Sequence, residues 1–132
     1  VNDVESVVLP PERTACPLAR TWARERLAPL EMDAALVEDL VLCIDELVAN
    51  VVIHTTSSPM LTVAIGDGIR IEVADSDGDV AASLRQADDG RPGGFGLRIV
   101  DRVADRWGSA AKPSGGKVVW LWVEPERVRS GS

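Results

Sequence analysis

Two pairs of alternating segments, each folded back on itself, constrain this chain more than any other feature of its sequence. Met60 to Ile65 and Ile69 to Ala74 both alternate apolar and polar residues at period two, and Gly66-Asp67-Gly68 joins them. An Asp-Gly step at a hairpin tip supplies the positive φ of a tight turn, so these segments predict an antiparallel pair. Gly108 to Ala111 and Lys117 to Val123, joined through Lys-Pro-Ser-Gly-Gly, predict a second hairpin. Strands grouped in hairpins with helices between them favour a two-layer α/β sandwich over a doubly wound parallel sheet. The expected class is α+β, with a mixed, mostly antiparallel sheet and three helices.

The helices follow from period and caps. Thr14 to Leu27 reads as a helix with Pro17 in its first turn, where a missing N–H is harmless. Asp33 is a good N-cap for a long helix ending near His54, with Leu36, Val37, Leu40, Ile44, Leu47, Val48 and Val51 on one apolar face. Gly96 to Trp107 returns to helical spacing through Leu97, Val100 and Val103/Ala104. Glu5 to Leu9 alternates weakly and meets Pro10-Pro11, the mark of a short edge strand. Asp75 to Gly94 has no period and reads as a long loop, and Glu124 to Ser132 as a polar tail. Residues 1–132 are expected to form one domain, since the length leaves no room for two separate cores.

Composition narrows the function. With 14 basic and 21 acidic residues the net charge is −7, which opposes direct binding to nucleic acid. A small phosphate-bearing ligand remains compatible, because a few backbone N–H groups and a metal ion can hold it locally. No apolar run approaches the ~20 residues a membrane-spanning helix needs. The start, Val1-Asn-Asp-Val-Glu-Ser, lacks the basic and apolar character of a secretory signal, and Cys16 and Cys43 are the only cysteines. The expectation is a cytoplasmic protein without disulfides.

Three clusters carry candidate chemistry. Glu46, Asn50 and His54 recur every four residues along the long helix, so they share one stripe at the margin of its apolar face. A carboxylate beside a carboxamide divides labour: Asn50 offers a neutral oxygen to a hard cation such as Mg²⁺, and Glu46 can accept a proton. A solvated polar helix edge explains the same stripe. Asp75-Ser-Asp-Gly78 leaves a predicted strand and could accept a hydrogen bond from an exocyclic amine, or simply form an Asx turn. Gly93-Gly94-Phe-Gly96-Leu97 opens a helix, where free N–H groups favour an anion, although a pliant loop exit needs the same glycines. A dinucleotide fold is excluded, because its glycines follow the first strand of a βαβ unit.

Taken in order, the clusters resemble the histidine-kinase-like ATPase superfamily. Glu46…Asn50…His54 is similar to its N-box, Asp75 to its adenine-contacting aspartate, and Gly94-Phe-Gly96-Leu97 to its later glycine box. Within that group, Ala15-Cys16, Ala19-Arg20, Asp45-Glu46-Leu47-Val48-Ala49-Asn50, Ala104-Asp105-Arg106-Trp107-Gly108 and Gly116-Lys117-Val118-Val119-Trp120 look like the stand-alone anti-sigma-factor serine/threonine kinases of actinobacterial type.

The resemblance implies a Bergerat ATP-binding fold with ATP and Mg²⁺ as cofactors, often in a homodimer. It also implies two protein partners, a sigma factor that is sequestered and an anti-anti-sigma protein of the STAS type that is phosphorylated on Ser or Thr. By carry-over Glu46 is the general base and Asn50 the Mg²⁺ ligand. Asp75 and Gly78 belong to the adenine side; Gly94, Gly96 and the Leu97 N–H hold phosphates, and the Asp79 to Gly93 loop acts as a lid. The pattern departs from the family at Asp77 and Asp79, which stand at two glycine positions, and at Val118, where a threonine near the adenine is common. The alternative is a non-catalytic nucleotide-sensing or partner-binding module of the same fold. Two further features bear on partners. Arg13, Arg20 and Arg24 share a stripe that could meet an acidic surface, and Trp120 and Trp122 share one side of a strand.

Overall fold

A computed structural model describes residues 3–75, 95–113 and 115–129. In chain order these form β1 (Asp3–Val8), α1 (Ala15–Leu27), a 3₁₀ turn (Ala28–Leu30), α2 (Ala34–His54), β2 (Met60–Ile65) and β3 (Ile69–Ala74). Then come α3 (Phe95–Val103), β4 (Arg106–Ala111), β5 (Lys117–Val123) and the short α4 (Pro125–Arg129).

The strands make one five-stranded sheet in the order β1-β2-β3-β5-β4, which puts β1 at an edge. Every neighbouring pair is antiparallel. The mixed sheet expected from the sequence is thereby corrected. After β3 the chain crosses over to the far edge, where β4 runs parallel to β3, and β5 then returns between them. No two strands that run parallel are neighbours in the sheet.

Alternation decides which face is covered. Leu61, Val63, Ile69, Ile71, Val73, Val119, Leu121 and Val123 are all buried and share one face, against which the helical layer packs. In α2 the buried stripe is Leu36, Leu40, Cys43, Ile44, Leu47, Val48 and Val51, with Val41 beside it. α1 presents Ala15, Ala19, Ala23 and Leu27 at intervals of four, small residues that allow close approach to α2. Arg20 pairs with Asp45, and Arg24 with Glu38 at 2.9 Å. Two of the three stripe arginines therefore meet acids of the chain's own α2.

On the other face Trp120 and Trp122 lie side by side, half-buried, as expected for residues two apart on a strand. Arg70 sits 4.6 Å from the centroid of the Trp120 ring. The Trp122 ring covers Gly68, where an added Cβ would lie 2.6 Å from it. Gly68 is required by this close approach; neither it nor Gly66 has positive φ, contrary to the turn geometry expected.

Two boundaries also shift. Trp107 was expected at the end of a helix but lies in β4 opposite Leu121. The helix stops because the Asp105 N–H donates to the Trp122 carbonyl, which starts the ladder, while the Trp107 indole N–H donates to Asp101 at 2.9 Å. The expected polar tail contains α4, whose Val128 is buried. Asp105 fastens it by accepting from the Glu124 N–H at 2.8 Å and from Arg127 at 3.0 Å.

Cys43 sits fully inside this core, and burial, followed by the charge of Asp39, pushes its thiol from the ordinary 9.0 up to about 12. Below pH 9.0 the thiol is protonated whether the chain is folded or not. Between there and about pH 12 only the unfolded chain loses the proton, so stability falls as pH rises. The expected slope from this one group is about 1.4 kcal/mol per pH unit. Denaturant titrations of wild type and Cys43→Ala at pH 8 and pH 10.5 should show a smaller alkaline loss in the variant. Equal losses would place the thiol in a polar setting.

Candidate functional site

The Asp33 side chain accepts from the Ala35 N–H at 3.3 Å and fixes the start of α2. The helix then runs unbroken to His54, so Glu46 and Asn50 lie one turn apart, both half-buried, and His54 is exposed at the end. Glu46 lies where α2 meets α1. The Cys16 thiol of α1 is raised chiefly by burial, next by the charge of Asp45, with a smaller contribution from Glu46.

Asp75 follows the last residue of β3 and is only 3% exposed. Its place in the alternation, two past Val73, turns it toward the helical layer. The Asp75 N–H donates to the Lys117 carbonyl at 3.0 Å, and the Asp75 carbonyl accepts from the Lys112 ammonium at 3.4 Å. The register that pairs Ala74 with Val118 sets Asp75 directly across from Lys117. Lys117 is itself buried, at 7% exposure.

These segments meet at one cavity. Leu47 and Val51 of α2, with Val73 and Val119 of the sheet, form an apolar wall; Asn50, Asp75, Leu97 and Lys117 complete the lining. The enclosed volume is about 20 Å³, the room of one water, inside a cleft of about 360 Å³ when its mouth is included. The enclosed space of about 20 Å³ is far smaller than the usual small-ligand site.

Of the residues singled out from sequence, Asn50, Asp75 and Leu97 are brought together. Glu46 stands one turn before Asn50, outside the lining. Gly96 lies in the first turn of α3, next to Leu97. Gly78 and Gly94, with Asp77, Asp79 and the expected lid, lie outside the described residues. Val118 requires a correction. It shares the face of Trp120 and Trp122, away from the cavity, because a strand turns successive side chains to opposite sides. The residue that does line the cavity at this point is Lys117, part of the Gly116-Lys117-Val118-Val119-Trp120 segment but given no role in the site from sequence. Among the described residues no three His, Cys, Asp or Glu side chains gather as a metal site. The donor set present suits a nucleotide and its Mg²⁺ ion: one neutral carboxamide oxygen, one buried carboxylate and the start of a nine-residue helix.

Gly116 shapes this corner. It adopts φ +87°, and a Cβ there would run into the Asp75 carbonyl. Gly116→Ala should therefore cost about 2 kcal/mol in folding stability, from the left-handed backbone and the clash. Because the clash is with Asp75, ligand affinity should fall with it. A denaturant midpoint equal to that of wild type would show that the turn relaxes without moving Asp75.

Among the described residues no helix is long and apolar enough to cross a membrane. No curated protein matches the chain. A family model, the histidine kinase-like ATPase domain, matches residues 9–122. That span contains all of the cavity lining, and with the α+β architecture of a five-stranded sheet under a helical layer it shows that the chain belongs to the histidine kinase-like ATPase domain family.

Proposed function

We propose that this chain is an ATP-dependent protein serine/threonine kinase of the anti-sigma type. In this reading it phosphorylates an anti-anti-sigma partner and sequesters a sigma factor. The observation that carries the nucleotide part is the convergence of Asn50, Asp75 and Leu97, from three separate elements, on one cavity.

Each residue then has a task set by its chemistry. Asp75, buried and able only to accept, takes a hydrogen bond from the exocyclic amine of adenine. Leu47, Val51, Val73 and Val119 give the base an apolar wall and exclude water. The N-terminal N–H groups of α3, Gly96 and Leu97 among them, face the phosphates. Asn50 contributes its carboxamide oxygen to Mg²⁺, and the ion, when bound, neutralises phosphate charge. Glu46 accepts the proton of the acceptor hydroxyl as that oxygen bonds to the γ-phosphorus and the bond to the β-phosphate oxygen breaks. Since the enclosed volume is no larger than a water, the base is held only once the residues lining the cavity have moved apart.

The reaction is tested by mixing the protein with Mg·ATP and an anti-anti-sigma protein and following phosphate onto Ser or Thr. Transfer supports the kinase. Asp77 and Asp79 at two glycine positions favour a second reading, a partner-binding module that holds nucleotide without turning it over. ATP binding with no transfer to any acceptor selects that module, and a folded protein that binds no ATP overturns both.

A further inference from the structure

We propose that the open face of the sheet, opposite the helical layer, is the surface on which a second copy of this chain docks, sheet against sheet. The contact lies on the far side of the sheet from the nucleotide cavity and does not depend on it.

The strand registers lay this face out in rows. One row crosses all five strands as Val8, Met60, Ala74, Val118 and Ala110, apolar throughout. The next rows set Trp120 and Trp122 beside Glu72, Arg70 and Arg106. An antiparallel sheet with one solvated face normally alternates apolar inward and polar outward. Here Val4, Val8 and Met60 point outward at 61%, 67% and 37% exposure. The polar side chains among them are already paired with one another. The Ser6 and Thr62 hydroxyls share a hydrogen bond of 2.7 Å, and Arg70 donates to Glu72 at 2.6 Å. Arg106 lies 5.9 Å from the centroid of the Trp122 ring. Covering such a face strands few hydrogen-bonding groups, so its desolvation costs little.

A second copy fits this face in area and in charge. Five strands about 4.8 Å apart, each about six residues long at about 3.3 Å per residue, make a flat area of roughly 480 Å². Two copies together then bury about 1,000 Å² or more, which is what a specific interface needs. The chain carries a net charge of −7, yet the charged side chains of this face are two arginines, Arg70 and Arg106, and one glutamate, Glu72. The acid excess lies elsewhere, so copies that meet here keep their acidic surfaces apart. Packed sheets stand about 10 Å apart, a gap that outward-pointing Val, Met and Trp side chains fill.

Light scattering after gel filtration, over a series of concentrations, tests this. Wild type should run with the mass of two chains. Met60→Glu on β2 and Val118→Glu on β5 should each weaken the dimer about a hundredfold or more, because each dimer then buries two unpaired carboxylates. Leu42→Glu, at an exposed apolar site on α2, should leave the affinity within about twofold of wild type. Thermal melts check that every variant is folded. A wild type with the mass of one chain at every concentration overturns the proposal. So does a dimer that survives both sheet variants, or one lost in Leu42→Glu instead. A dimer lost in Val8→Glu, on the edge strand β1, but kept in Val118→Glu pairs along the sheet edge, and that result also overturns the docking of face on face.

Discussion

Glu46→Gln is expected to slow phosphate transfer to the acceptor protein by about 10³-fold while ATP affinity stays within about twofold of wild type. The two effects separate because Glu46 does not line the cavity, whereas Asn50, one turn later on α2, does. Glutamine keeps the size of the side chain and one acceptor oxygen but cannot take up the hydroxyl proton. α2 turns Asn50 toward the cavity and leaves Glu46, one turn earlier, outside the lining. Single-turnover transfer from labelled ATP, paired with calorimetry on the same samples, reads both quantities. Unreduced transfer removes Glu46 from the chemistry, and a parallel loss of ATP binding makes it a ligand-holding residue.

Most of the secondary structure was legible because each element carries its own period. α2 declares itself through Leu36, Leu40, Ile44, Leu47 and Val51, and the hairpin of β2 and β3 through strict alternation. Local pattern says nothing about which hairpin edge meets which. That β5 lies between β3 and β4 is a long-range fact, and it decided three outcomes. It made the sheet antiparallel throughout, set Val118 on the face opposite the cavity, and put Lys117 across from Asp75.

Trp107 misled for a different reason. It falls four residues after Val103, so helical spacing and an inward-facing strand position predict the same burial. The arginine stripe on α1 was correct as geometry and incomplete as chemistry, because the acids that meet Arg20 and Arg24 belong to α2 of the same chain. Of the three candidate segments that line the cavity, those on α2 and β3 carried residue types and spacing that singled them out in the sequence. The third contributes Leu97, whose buried side chain closes the cavity from α3.

Asp75→Asn should weaken ATP binding by about a hundredfold, the value of a buried hydrogen bond to a charged acceptor. The substitution is nearly isosteric and leaves the main-chain bond from residue 75 to the Lys117 carbonyl in place, so the fold should survive it. The amide offers a neutral acceptor or, turned over, a donor that faces the donor on adenine. Affinity alone would not separate base reading from a general loss of site geometry. Purine riboside triphosphate, which lacks the exocyclic amine, makes the separation. Wild type should prefer ATP to that analogue by a wide margin, and Asp75→Asn should bind the two almost alike, having lost the partner for the amine. A variant weakened equally toward both nucleotides would give Asp75 a purely architectural role, as the residue on which Lys112, Gly116 and Lys117 fold their turn.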